Sequence, residues 1–380
     1  MTGIDRFLSE KKESSKKIGL ITNPTGITSR GIPVWQALIN EGFNLKALFG
    51  PEHGFRGEAQ DAVIVGDEFF KGIPVYSLYG SRLAPDSAML SNLDTLLFDI
   101  QEVGCRYYTY LYTLAYSMEV CEATGTEIIV TDRPNPILDK SVEGSPIEKE
   151  FESFVGGFGL PVTTGLTICE YALYLKDNFF PKVNLKTIPM EGYRRNNHVW
   201  DQNLAWHLPS PNLPTRDTAL VYPGTCLIEG TSLSEGRGTT RPFEIIGAPF
   251  IDGEELREAL RQQDLPGIIF TSLFFTPTFS KWKGETCEGV LLNVTDRKAF
   301  RPLATGITIL HTILSLYPGK VIWLPDWEKE EDFFFDKLAG TDSLRNSLDE
   351  LEPIRNIIDE INRDAAGFEK RNEKYYLYQE

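Results

Sequence analysis

Histidine is scarce in this chain. His53, His198, His207 and His311 are the four it has in 380 residues, and no two are spaced as a ligand pair on a helix. That argues against a histidine-built hydrolytic metal centre. The five cysteines, Cys105, Cys121, Cys169, Cys226 and Cys287, are odd in number, far apart and form no CxxC pair. This spacing argues against a disulfide scaffold and a structural zinc site, and reads as small buried thiols. Also missing are HExxH, GxSxG, a Walker-type GKS/T and a complete GxGxxG, since Gly157-Phe158-Gly159 lacks the third glycine. No dinucleotide cofactor is implied, and a hydrolytic metal centre, which is not expected, would have to be built mainly from carboxylates. The best apolar stretch, residues 306–317, contains His311 and falls short of the ~18 residues that span a bilayer, so membrane insertion is not expected. The first six residues, Met1-Thr2-Gly3-Ile4-Asp5-Arg6, carry no apolar leader segment. The chain as given is expected in the cytoplasm, or in the cell envelope where a leader has been removed. Positive charge is in deficit: 38 basic against 54 acidic residues leave a net −16. Such a molecule repels phosphate backbones, which argues against a nucleic-acid partner.

What is present suffices for a folded core. The chain is 41% hydrophobic and 24% charged, a globular mix, and its length suits two to three domains. Residues 17–22, 45–49, 94–100 and 127–131 read as apolar strands. Helices are expected at 33–40, where Pro33 suits the first turn, and at 106–124, which Gly125 stops. Thr167 and Glu170 make a capping-box pattern for a helix ending near residue 178. Strands alternating with helices imply an α/β fold with a parallel sheet. The proline-rich Pro209-Ser210-Pro211-Asn212-Leu213-Pro214 suggests a boundary, giving domains 1–214 and 215–380. In the second, Asp252 would cap a helix over 253–263, strands are expected at 268–275 and 289–294, and helices at 303–316 and 349–363.

Ligands of such sheets bind beyond the carboxyl ends of the strands. The loops there are Gly50–Gly57, Gln101–Arg106 and Asp132–Pro136, each with charged or amide side chains beside Gly or Pro. Carboxylates, arginines, amides and aromatics are the tools of carbohydrate chemistry, where one carboxyl must act as general acid. Glu52, after a proline and among glycines, is the best acid candidate; the competing reading is a solvated loop glutamate. Asp99 and Gln101 share one side of an extended segment, facing a ligand unless Asp99 caps the next helix. Arg106 opens a tyrosine-rich stretch, Tyr107, Tyr108, Tyr110, Tyr112 and Tyr116. Such a stripe is ordinarily core, but near the helix start a tyrosine can stack on a sugar. Asn135 lies between two prolines, either a rigidly held amide, one X–Pro bond being open to the cis form, or a structural turn. The segment 229–240 carries Glu229, Glu235, Arg237 and five hydroxyls among glycines. It is either a functional loop aimed at the interdomain cleft or a solvated hairpin.

Taken together, these segments resemble a known family. Leu48-Phe49-Gly50-Pro51-Glu52-His53-Gly54-Phe55-Arg56-Gly57, Phe98–Tyr110 and Asp132-Arg133-Pro134-Asn135-Pro136 are similar to motifs of the NamZ-type exo-β-N-acetylmuramidases, glycoside hydrolase family 171. So are Ser210–Pro214, Glu229–Thr239, Pro242-Phe243-Glu244 and 289–297. The resemblance runs from about residue 17 to the C-terminus. It implies a Rossmann-like first domain, a smaller α/β (α+β) second domain, a cleft between them, and no cofactor. It also implies release of N-acetylmuramic acid from the non-reducing end of peptidoglycan-derived sugars, with the family's catalytic glutamate at Glu52. Thr164 and Cys169 stand where the family commonly has histidine and glycine.

On this reading Glu52 protonates the leaving oxygen, and Asp99 or Glu235 orients the attacking group or stabilises the transition state. Arg106 or Arg237 binds the lactyl carboxylate. Gln101 and Asn135 hold hydroxyl or acetamido groups, and His53, Arg56, Tyr110 and Glu229 complete the substrate contacts. The alternative is a non-catalytic protein binding cell-wall sugars on the same fold; a third reading is a carboxylate-metal hydrolase.

Overall fold

The computed structural model describes residues 1–12, 14–57, 66–138, 142–196, 205–327 and 329–379; His198 lies outside them. Seven strands form the first sheet: β1 Lys17–Thr22, β2 Asn44–Gly50, β3 Glu68–Phe70, β4 Ile73–Ser77, β5 Thr95–Asp99, β6 Glu127–Thr131 and β7 Leu185–Ile188. Their order is β3-β4-β2-β1-β5-β6-β7. All pairings are parallel except β3 with β4. Alternate residues of each strand feed opposite faces. Leu20, Leu48, Leu97 and Ile129 pack with helices Gly3–Glu10 and Val34–Asn40 on one face. Phe49, Phe98 and Val130 join helices Tyr110–Thr124 and Ile168–Asn178 on the other. Covering both faces is why these strands read as unbroken apolar runs. From β1 the chain moves outward through β2 and β4, then returns to place β5 on the opposite side of β1. That reversal opens a crevice at the strands' carboxyl ends.

The second half carries a three-stranded antiparallel sheet of β8 Ile245–Ala248, β9 Ile268–Phe275 and β10 Cys287–Val294, in the order β8-β10-β9. Asp252 caps helix Gly253–Arg261 by accepting from the backbone N–H groups of Glu254 and Glu255. Helices Arg216–Thr225 and Pro302–Leu316 cross backbone to backbone: a Cβ on Gly306 would lie 2.2 Å from the Gly224 carbonyl oxygen. One apolar core runs from the first sheet into these helices without a break. The chain end returns to the first half, where the Tyr378 hydroxyl donates to Asp132 and the Leu377 N–H donates to Glu170.

Several expected elements differ in extent. The helix expected from residue 106 starts at Tyr110, because Cys105 bridges to Thr163 and the Arg106 N–H donates to the Val162 carbonyl. The helix expected over 349–363 is shorter, Ile354–Ile361, with Pro353 at its N-cap position, and a separate helix, Ser343–Asp349, ends where the expected one begins; a proline cannot continue a helix interior. The capping box of Thr167 and Glu170 is formed. All five cysteines are buried free thiols. No described helix is long and apolar enough to cross a membrane.

Candidate active site

Strand β2 ends in a turn that determines where Glu52 stands. The Gly54 N–H donates to the Pro51 carbonyl, 2.9 Å, and His53 takes φ +68°. Few side chains adopt that left-handed conformation, histidine being among those enriched there. A Cβ on Gly50 would lie 2.4 Å from the Phe55 nitrogen, so glycine lets the turn fold back on its own strand. Glu52 and His53 are thereby buried at one wall of a cavity of about 730 Å³ shared by both halves of the molecule.

Thr109 holds Glu52. It is the residue before helix Tyr110–Thr124, yet its side chain does not cap that helix. Its hydroxyl donates instead to Glu52 Oε2, 2.6 Å. A residue type that ordinarily satisfies the helix N-terminus is turned toward the cavity. Tyr107, Tyr108 and Tyr110 line the same wall. Their rings continue edge-on into the second half, Tyr108 to Tyr110 at 4.7 Å, Tyr107 to Tyr222 at 5.8 Å, and Tyr222 to Phe243 at 4.9 Å. Burial first, then the Tyr110 phenol and the Glu52 carboxylate, hold the Tyr108 phenol well above its ordinary pKa. The Tyr110 hydroxyl donates to the Pro209 carbonyl, tying this wall to the proline-rich connection.

The facing wall is charged. Arg237 meets Glu229 at 2.5 Å and Glu235 at 3.5 Å, and its guanidinium lies 5.1 Å from the Phe243 ring centre. Lys281 meets Glu235 at 2.7 Å and donates to the carbonyls of Ile228, Glu229 and Thr231. Two acids and two bases balance on this wall, so it carries no net charge in a chain of net −16. Glu229, Glu235, Arg237 and Lys281 all line the cavity.

The cavity thus brings together Glu52, His53, Tyr110, Glu229, Glu235 and Arg237. Five other expected site residues lie elsewhere. Asp99 is fully buried under a two-pronged contact from Arg133, Nε at 3.1 Å and Nη2 at 2.6 Å, with the Thr131 hydroxyl at 2.6 Å. It neither caps the following helix nor reaches the cavity; it compensates a buried arginine. Arg106, also fully buried, donates to the carbonyls of Ser145 and Leu160 on one side and of Leu338 and Ala339 on the other. It caps the end of helix Phe334–Ala339 and so clasps the two halves instead of meeting a ligand. Asn135 is a structural turn: its amide donates to the Leu166 carbonyl and accepts from the Ile137 N–H. No peptide bond in the described residues is cis. Gln101 donates to the carbonyls of Glu102 and Pro134. Arg56 pairs with Glu68 at 2.7 Å in a smaller crevice behind His53.

Sequence reasoning missed Thr109, Lys281 and the rim aromatics Tyr79, Phe154, Trp327 and Phe334, all of which line the cavity. Thr109 had a signal, as an N-cap-type residue ahead of the tyrosines. Lys281 had none, being one lysine in a polar loop. Thr164 and Cys169 are buried in the scaffold, Cys169 with its N–H on Asp132, and neither lines the cavity. Among the described residues, no cluster of three or more His, Cys, Asp or Glu is placed to hold a metal ion.

Comparison with known proteins matches both halves in order. The family models "Exo-beta-N-acetylmuramidase NamZ, N-terminal" and "C-terminal" match residues 18–217 and 220–378. The peptidoglycan β-N-acetylmuramidase NamZ of Bacillus subtilis is 45% identical, over 99% of this chain and 91% of that protein. Two crystal structures of DUF1343-family proteins from Bacteroides fragilis superpose on the whole chain. One has TM-score 0.89 at 32% identity over 98% of its length, the other 0.79 at 29% over 99%. With both family models matched in order and nearly the whole chain aligned to a curated relative, the chain belongs to the NamZ exo-β-N-acetylmuramidase family.

Proposed function

We propose that this protein is an exo-acting glycosidase that releases N-acetylmuramic acid from the non-reducing end of peptidoglycan fragments. The observation that carries the reading is Glu52 itself: a glutamate buried at a strand end, gripped by the Thr109 hydroxyl, in a cavity walled by both halves. A glycosidase needs a carboxyl that gives its proton to the leaving oxygen, and Glu52 fills that role. Of the two candidates for the second carboxylate, Asp99 is held by Arg133 away from the cavity, which leaves Glu235 on its wall. Lys281 and Arg237 keep it in one orientation, facing the positive charge that builds on the sugar ring or the group that attacks it. Of the two arginines considered for the lactyl carboxylate, Arg106 is committed to backbone carbonyls, which leaves Arg237, with Lys281 as neighbour.

Family membership supports a catalyst over a sugar-binding protein on the same fold. The departures at Thr164 and Cys169, which favoured the binding alternative, concern buried scaffold positions. The test is incubation of the protein with the disaccharide N-acetylmuramyl-β-1,4-N-acetylglucosamine. Free N-acetylmuramic acid in amounts far exceeding the enzyme, with or without chelator, is the expected outcome. Saturable binding with no sugar released would contradict it.

A further inference from the structure

Two pairs of aromatic rings stand at the cavity's mouth with no part in the chemistry above. From the first half, Tyr79 and Phe154 meet at 5.7 Å between ring centres. From the second, Trp327 and Phe334 meet at 4.6 Å. All four line the same cavity as Glu52. Glu52 is 8% exposed, whereas Trp327 is 59% exposed, so Glu52 lies at the deep end and the tryptophan at the open one. Exposure alone would say little, since Phe69 and Phe274 are more exposed, but among the described residues Trp327 is the one exposed large apolar side chain that lines this cavity. Its position is set by its neighbours: Phe334 packs against it at 58°, and the Lys337 ammonium, paired with fully buried Asp326, lies 5.7 Å from its centre. The ring is thus held in place while a face stays open. A pre-placed ring loses little freedom when a ligand stacks on it.

An exo-acting enzyme seats the terminal sugar at the closed end, and the rest of the glycan leaves through the mouth. A cavity of about 730 Å³ is also larger than one N-acetyl sugar requires. We infer that Trp327 and Phe334, together with Tyr79 and Phe154 of the first half, form the subsite for the N-acetylhexosamine on the leaving side of the scissile bond. A β-linked pyranose in its chair presents axial C–H groups on both faces, the surface that stacks on an aromatic ring. Rings from both halves would grip this sugar as the Glu52 proton reaches the oxygen that joins it to the terminal one. The inference rests on the muramidase reading and adds to it what selects the leaving group.

The experiment compares two substrates whose leaving oxygens both need a proton: the muramyl disaccharide, and the methyl β-glycoside of N-acetylmuramic acid, which has no second ring. The readout is the ratio of kcat/KM on the first to kcat/KM on the second. Trp327→Ala should lower this ratio about tenfold, and Trp327→Phe, which keeps a ring, should restore most of it. If the wild-type enzyme turns over both substrates and Trp327→Ala leaves the ratio unchanged, the subsite is overturned and the muramidase reading stands. A ratio that shifts only when the muramic acid carries a peptide would assign the rings to the peptide, and also overturns the inference. A wild-type enzyme silent on both substrates overturns the muramidase reading and this subsite with it.

Discussion

At the scale of single residues, burial divides one type of side chain between two jobs. Arg106, Arg133 and Arg237 all sit in segments that look functional on paper. Arg106 and Arg133 are committed to backbone carbonyls and to Asp99. Arg237 faces the cavity between two glutamates. A guanidinium so placed can exchange a protein carboxylate for a substrate carboxylate with little rearrangement, keeping its charge-assisted bonds. Arg237→Ala should therefore narrow the preference for a muramic-acid glycoside over its N-acetylglucosamine counterpart by about 10- to 100-fold. Parallel kcat/KM measurements on the two glycosides check this. An unchanged preference, with both rates lowered equally, would assign Arg237 to wall structure alone.

At the scale of elements, what could be read in the sequence follows from burial. Strands β1, β2, β5 and β6 lie inside the sheet with helices on both faces, so their apolar runs announce them. Strands β3, β7 and β8 have three or four residues each and sit at sheet edges, and so short a run carries almost no periodic signal. The loops after β2, β5 and β6 were legible as strand ends, but their side-chain directions were not. Glu52 turns into the cavity, whereas Asp99 turns to Arg133 and Asn135 to Leu166. The choice depends on contacts between segments more than thirty residues apart, such as Arg133 with Asp99. Family motifs mark such residues without telling a catalytic carboxylate from one that holds the loop. Lys281 and Trp327 belong to the second half and line the cavity only because that half packs against the first.

At the scale of the whole molecule, folding leaves two acids of the first half fully buried, Glu102 and Asp132. Glu102 is pushed up to about 8, chiefly by burial, with the Gly104 N–H pulling the other way and Asp132 adding a smaller upward push. Asp132, beneath the returning chain end, is raised to about 7, again chiefly by burial. Both values lie above those of the unfolded chain, so the folded state binds the extra protons. Their contribution to stability is full below about pH 4 and is lost as pH rises through 7 to 8, at up to roughly 1.4 kcal/mol per pH unit for each acid. Glu102→Gln removes one of these titrations. Its melting temperature should gain on that of the wild type from pH 5 to pH 8; thermal unfolding of both proteins across that range checks it, and parallel curves would contradict it.

On the proposed mechanism catalysis needs both halves, since Glu52 comes from the first and Glu235 with its cations from the second. The most direct measurement is turnover by Glu52→Gln on two N-acetylmuramic acid glycosides, the natural disaccharide and a nitrophenyl glycoside whose leaving group departs without a proton. The account predicts a fall of about 10²- to 10⁴-fold on the disaccharide and a far smaller one on the nitrophenyl glycoside. Undiminished turnover of the disaccharide, or equal losses on both, would contradict it.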